Sequence, residues 1–383
     1  MRTWIMLVAV LLGFCLLPSC REKSQINNRI VVTAVGIDED EEQGGCRVSI
    51  QAIEALKISG SLTDQNENAT SIYEASGRSV ASAMKTFVTQ TGRNTYILQN
   101  RAVVMSLDLL KKTALPATLD YFLRNYESRP DVGLLISRGD PAEVLSVPSS
   151  SYTIPSEYLS TLIREGQRWG FSAKTTLLDA ERSFSGMFDA FIPIVRVQGS
   201  GDEAEIVMDG TAVFREGVFA GELDEEETRG LLFATGDLER CSLVLESPKG
   251  EAVTVEVKNI HSSIGVQAQG DAAQFTLRVS CSAEVTEEND GDPLTEAAVP
   301  ELERQLIERI EREIQAAVRR TVEDYGCDVF GFGRRVMKSE PGLIRGSEEE
   351  WPEKLKDCRF EVEIKAPIRG IGAETGAQPD RVS

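Results

Sequence analysis

Ile30-Val31-Val32-Thr33-Ala34-Val35-Gly36, then an acidic turn, then Arg47-Val48-Ser49-Ile50-Gln51-Ala52-Ile53 is the stretch that decides the fold class. The first run is β-branched and stops at glycine. The second alternates apolar and polar side chains with period two, so the two read as a hairpin-like strand pair. The turn between them, Asp38-Glu39-Asp40-Glu41-Glu42 with Gly44-Gly45, lacks the ligand spacing of an EF-hand and reads as a solvated charge run. Gly60–Thr70 is polar and reads as a loop. Beyond it, Ala75, Val80, Ala83, Met84 and Phe87 predict an amphipathic helix over Ser71–Gln90. A strand is expected at Tyr96–Leu107, and helices near Pro116–Asn125 and Pro141–Val147 with a strand Val132–Ile136 between them. Strands alternating with helices predict an α/β layer structure over residues 20–197.

After Gly199-Ser200-Gly201 the pattern turns to strands at Glu205–Phe214, Ser242–Glu246, Ala252–Val257 and Gln274–Val285. One helix is expected near Asp224–Phe233, where Asp224 with Glu227 three residues on forms an N-terminal capping pattern. These elements define a middle, strand-rich block, 202–290. A third block, 291–372, opens with a helix on which Leu302, Leu306, Ile310, Ile314, Val318 and Val322 recur every four residues, with Glu and Arg on the opposite face. At ~1.5 Å per residue that helix is about 39 Å long. A four-residue repeat drifts around the helix, which favours packing on its own domain over a coiled coil. Phe330–Met337, a turn and a strand at Cys358–Ile364 follow, and residues 373–383 read as a frayed tail. The expected fold is therefore α+β with mixed α/β sheets, in three domains, the last carrying a long amphipathic helix.

Composition excludes several functions. The 383 residues carry 41 Lys and Arg against 61 Asp and Glu, a net charge of −20, which opposes binding to a phosphate backbone. His261 is the single histidine, so a multi-histidine zinc site is impossible and a histidine triad would have to use that one residue. It stands between an alternating strand and Ser262-Ser263, with no partner spacing to support catalysis. The seven cysteines include no C-x-x-C pair. Gly331-Phe332-Gly333-Arg334-Arg335-Val336 begins like a dinucleotide loop, but it lacks the third glycine and follows a helix. There is no P-loop and no G-x-S-x-G elbow. No catalytic, cofactor or metal residue is assigned.

Met1-Arg2-Thr3 followed by the uninterrupted apolar run Trp4–Leu17 reads as an export signal, since a bilayer span needs ~20 residues. The run ends in Leu16-Leu17-Pro18-Ser19-Cys20, which resembles a bacterial lipobox. Residues 1–19 are then a lipoprotein signal peptide, and Cys20 receives diacylglyceryl and N-acyl groups, the two or more chains that a stable anchor requires. Cys46, Cys241, Cys281, Cys327 and Cys358 are an odd number at wide spacings. Disulfides between them and a set of buried small hydrophobes both remain open.

Four stretches of this chain, in order, resemble the Ger(x)C-type spore germination lipoproteins, the C subunits of nutrient germinant receptors. They are Cys20 with Ile30–Asp38; Thr91-Gly92-Arg93 through Met105 to Glu127-Ser128-Arg129-Pro130-Asp131; Asp209–Phe214 with Gly221-Glu222-Leu223 and Glu226–Leu232; and Cys327–Gly333 leading to Trp351. The chain departs from the family pattern at Arg21-Glu22, where a Trp-Asp or Trp-Asn pair is usual, and at Gln99, where histidine is common. The resemblance implies a non-enzymatic subunit of three mixed α/β domains without a cofactor. It would be anchored through Cys20 on the outer face of the spore inner membrane, beside integral A-type and transporter-like B-type subunits. Size and anchor fit equally well a solute-binding lipoprotein that delivers a nutrient to a transporter, and a second rival is a cell-wall hydrolase using an acidic pair.

Overall fold

The opening strand pair forms as expected. β1 (Arg29–Glu39) and β2 (Cys46–Ile53) run antiparallel, with Val35 opposite Ile50. The computed structural model describes residues 29–370 apart from 43, 54–69, 150, 153, 187, 271, 289–294 and 346–347. Cys20, the apolar run before it, most of the expected loop at Gly60–Thr70 and the tail 373–383 thus lie outside the described residues.

The expected helix Ser71–Gln90 is in fact a strand followed by a shorter helix. β3 (Thr70–Gly77) pairs along the whole of β2, where Ile72 and Tyr73 suit an extended backbone. Ser79 then starts α1 (Val80–Thr91) with a capping box to Ser82, and Gly92 ends it at φ 69. The expected strand Tyr96–Leu107 is likewise divided into β4 (Asn94–Tyr96) and β5 (Ala102–Ser106) by a turn closed by the Asn100 amide on the Ile97 carbonyl.

β5, β6 (Gly133–Ser137) and β7 (Phe191–Gln198) continue parallel to β1. β8 (Glu205–Arg215) and β9 (Val218–Leu223) then fold back antiparallel. The sheet order is β3-β2-β1-β5-β6-β7-β8-β9, with β4 beside β1. Parallel strands need crossovers, supplied here by α2 (Leu107–Lys112), α3 (Leu115–Arg124), α4 (Pro141–Ser146), α5 (Pro155–Trp169) and α6 (Leu177–Ser185). Period two sorts the cores. Leu134 and Ile136 of β6 join Phe87, Leu119 and Phe122 on one face, whereas Leu135 joins Val104, Val144, Leu159 and Ile163 on the other. Gln51, fully buried, ties four elements together: its Oε1 accepts from Thr33 Oγ1 at 2.8 Å and from the Ser156 amide at 3.1 Å, and its Nε2 donates to the Leu145 carbonyl at 2.7 Å.

α5, α6 and β7 have no counterpart among the sequence expectations. Their signals are present: Pro155 at the first turn, Leu159, Ile163 and Gly166 along one face, and Gly170 in the left-handed region at φ 81 to end α5.

The second sheet has the order β10-β11-β12-β13, built from Arg240–Glu246, Ala252–Gln269, Ala272–Glu288 and Arg359–Lys365. α7 (Glu225–Thr235) and α8 (Val299–Val318) cover it, and α8 runs on through a π turn at Arg319–Asp324. The four-residue repeat of α8 is its buried face, with Leu302, Leu306, Ile310 and Ile314 all fully enclosed. α9 (Phe332–Ser339) and α10 (Trp351–Lys356) lead into β13. The mixed α/β character expected from sequence is thus present in two mixed sheets.

The sheets do not follow the block boundaries drawn at 202–290 and 291–372. β8 pairs along β7 from Phe191 to Gln198, so Gly199-Ser200-Gly201 sits in a loop between strands of one sheet. β13 is parallel to β12, so α8 to α10 form the crossover that returns the chain to the sheet of the middle block, and residues from Val213 to Ile368 share one core.

Candidate functional site

The two layers meet along a seam, and much of the seam is made from stretches that carry the family resemblance. Thr228, Arg229 and Gly230 lie on the face of α7 that meets β8 and α8. A Cβ on Gly230 would stand 2.1 Å from the Glu313 carbonyl oxygen, so only glycine lets the two helices approach this closely. Arg229 beside it forms a two-pronged pair with Glu313, Nη2 to Oε1 at 2.7 Å and Nε to Oε2 at 2.9 Å. Their side chains are 7% and 0% exposed. Arg309 adds a second guanidinium to the Glu313 carboxylate at 2.7 Å. The Thr228 hydroxyl donates to that of Thr211 on β8 at 3.1 Å. Tyr325, at the end of the π turn, donates its hydroxyl to the Glu222 carbonyl at 2.9 Å and lies over Gly221, where a Cβ would meet the ring at 2.2 Å.

Along this seam opens a cleft of about 860 Å³, lined by residues of α5, β8, β9, α7 and the π turn. Arg138 reaches across its wall to the carboxylates of Asp209 and Glu222, bonding Glu222 at 2.6 Å. Arg320 bonds Glu227 at 3.0 Å from the other side. Trp169, Phe171 and Tyr325 give it aromatic walls, with Phe171 half exposed. Gly210, at φ 94, holds the β8 bend on its floor. The guanidiniums face carboxylates, and among the described lining residues there is no cysteine, serine or histidine to serve as a nucleophile or base. The arrangement can hold two layers in register or accept a ligand.

A second junction is organised by Asp328. Its carboxylate accepts from the Phe332 amide at 2.8 Å, the Gly333 amide at 2.7 Å and the Trp351 indole at 3.0 Å. It thereby caps the start of α9 and docks α10 on it. Gly333 is required beneath the indole, because a Cβ there would approach Trp351 Nε1 to 2.6 Å. Asp189, just before β7, accepts from the Asp328 amide at 2.8 Å and from the Glu216 amide at 2.9 Å. Burial pushes Asp328 up to about 6 despite those three donors, and burial also raises Asp189. The Gly331-Phe332-Gly333 run is therefore a helix start served by a carboxylate.

His261 is exposed on β11 opposite Ser280, at a register shift. Its place away from the cleft fits a surface histidine. The first two acids of the expected turn close β1 and are engaged by cations: Asp38 pairs with Arg47 at 2.9 Å and Glu39 with Lys112. Among the described residues no group of acidic, cysteine and histidine side chains could hold a metal ion. All five described cysteines are free thiols, and Cys46, Cys241, Cys281 and Cys327 are buried. Burial raises Cys281 to about 11 and Cys241 to about 12, so both are inert as nucleophiles near neutrality. No helix among the described residues is long and apolar enough to cross a membrane.

Sequence reasoning did not single out Arg138, Asp189 or Glu313. Glu313 falls on the apolar stripe of α8, seven residues after Leu306, so helical spacing could have flagged it as an acid set among core positions, whereas no local pattern marks the other two. Asp328 did leave a signal, an acid four residues ahead of the first residue of α9.

Comparison with known proteins identifies the fold. Residues 22–197 match the family model for the spore germination protein N-terminal domain, and residues 209–372 that for the spore germination B3/GerAC-like C-terminal region. Spore germination protein KC of Bacillus subtilis is 22% identical, covering 97% of this chain and 96% of its own. Spore germination protein B3 of the same organism is 19% identical over 71% of this chain and 73% of its own. The crystal structure of the GerBC protein superposes with a TM-score of 0.58 at 17% identity, over 88% of this chain and 98% of that one. Both family domains are present in order across nearly all the described residues, and the chain belongs to the Ger(x)C family of spore germination proteins.

Proposed function

We propose that the chain is the non-enzymatic C subunit of a nutrient germinant receptor. It is anchored through acylated Cys20 on the outer face of the spore inner membrane and assembles there with integral A-type and transporter-like B-type subunits. The observation that carries this reading is the pair of family matches, 22–197 and 209–372, which begin two residues after Cys20 and run through both sheets. The structure supports a scaffold role. The motif residues serve as close-approach glycines, helix caps and ion pairs that lock the second layer together, as Gly230, Asp328 and Arg229 do, while Thr228 on Thr211 and the Asp328 amide on Asp189 fasten it to the first. A subunit fastened in this way transmits force between partners as one body, which suits coupling of ligand-driven motion in the membrane subunits.

Spores lacking the gene test the reading through dipicolinate release. Loss of the response to one nutrient class, with a normal response to dodecylamine, is the expected result. Unchanged responses to every nutrient would remove the receptor assignment and favour nutrient delivery as a solute-binding lipoprotein. The anchor is tested separately: acyl labelling of the chain should disappear in Cys20→Ala.

A further inference from the structure

We infer that the amino end of the first sheet is the surface that lies against the lipid bilayer. The inference rests on the proposed anchor at Cys20 and adds to it the face of the protein that the anchor holds down.

β1 begins at Arg29, nine residues after Cys20, so a fully extended tether brings this end of the sheet no farther than about 32 Å from the acylated residue. The residues around Arg29 are fixed by contact. Arg29 stands in register with Asn94 of β4, its guanidinium lies 5.1 Å over the Tyr96 ring, and it pairs with Glu127 at 3.6 Å. Next to Glu127 is Tyr126, 93% exposed, and two residues past Tyr96 is Leu98, 38% exposed. An amphipathic ring and an aliphatic side chain held at one pole are the residue types that settle at a membrane–water interface.

Charge agrees. The chain carries −20, which a bilayer of anionic lipids repels, yet at this pole acids and bases are matched. Arg124 pairs with Asp120 at 2.7 Å, Arg129 with Asp131 at 2.5 Å and Arg101 with Glu157 at 3.2 Å. Arg93, exposed beside Asn94, adds one further positive charge. Long arginine side chains can keep their heads at phosphate level while their stems lie on the apolar side.

The test uses the mature chain from Cys20 with Cys358→Ser, which leaves Cys20 beside four buried thiols. Coupling Cys20 to a maleimide lipid in vesicles of phosphatidylethanolamine and phosphatidylglycerol supplies the anchor chemically, so the result does not depend on how the cell acylates the chain. Tryptophan is placed by Tyr126→Trp, by Leu98→Trp and, as a reference on the second sheet, by Val244→Trp, a position 65% exposed. Quenching by brominated lipid, taken as the difference from the parent chain with its native Trp169 and Trp351, should be roughly threefold or more stronger at 98 and 126 than at 244. Equal quenching at the three positions in vesicle-bound protein would overturn the proposed face while leaving the anchor intact. Absence of acyl labelling at Cys20 in cells would instead remove the anchor reading.

Discussion

Glu313 is an acid set among the core positions of its helix, and its partner lies on another element. On the helical repeat of α8 it falls within the apolar stripe, seven residues after Leu306 and three after Ile310, and its side chain is completely enclosed between Arg229 and Arg309. Its burial follows from that place in the stripe; what no periodicity within α8 reports is the partner on α7, whose Gly230 allows the two backbones to approach closely. Removing one partner of such a pair leaves the other charge buried and uncompensated. We predict that Glu313→Gln costs on the order of 3–5 kcal/mol, read as a lower urea midpoint. Replacing both partners, Arg229→Met with Glu313→Leu, should recover most of that loss, because desolvation of the charges disappears with them. A single variant no weaker than the wild type would show that the pair contributes nothing.

At the scale of elements, the strongest sequence signals are those whose cause is local. The hairpin of β1 and β2, the capping box of Asp224 with Glu227, and the apolar stripe of α8 all form as read. The helix expected at Ser71–Gln90 fails because its apolar positions also fit an extended run through Ile72 and Tyr73, and pairing with β2 decides between them. β11 and β12 extend to eighteen and seventeen residues because each supplies the other's hydrogen bonds, beyond the point where apolar alternation stops. Two substitutions separate local from tertiary control. Asp224→Ala removes the cap of α7 and should cost about 1 kcal/mol, as caps do elsewhere. Gly230→Ala should gain roughly 1 kcal/mol on helix propensity alone. The Cβ would, however, stand 2.1 Å from a carbonyl oxygen of α8, and backbone atoms cannot turn aside. We therefore predict net destabilisation of about 1–3 kcal/mol, with α7 forced away from α8. A rise in melting temperature for Gly230→Ala would mean that the helices part more easily than this contact implies.

For the molecule as a whole, the candidate site was only partly legible because it lies where chain segments distant in sequence converge. The motif stretches could be read one by one, but their meeting along a seam depends on β8 joining the first sheet and β13 the second. The same convergence places Asp189 from the first layer against Asp328 from the second, and it predicts how stability varies with pH. Both carboxyl groups are raised above their ordinary value of 3.8 by burial, Asp328 to about 6. A raised carboxyl holds its proton in the folded chain where the unfolded chain has released it. Its contribution is fully present below about pH 4 and is lost as pH rises through about 6. For Asp328 the shift corresponds to roughly 3 kcal/mol. Relief of repulsion within a chain of charge −20 acts in the same direction on acidification, so the wild-type profile alone would be ambiguous. Asp328→Asn resolves it. The carboxamide keeps one acceptor for the amides of Phe332 and Gly333 and carries no charge at any pH, so the variant should be weaker than the wild type at pH 5. Its urea midpoint should then fall less than that of the wild type between pH 5 and pH 7.5. The two profiles would run parallel if the fall came from general repulsion; they should converge if Asp328, held between the two layers, is its source.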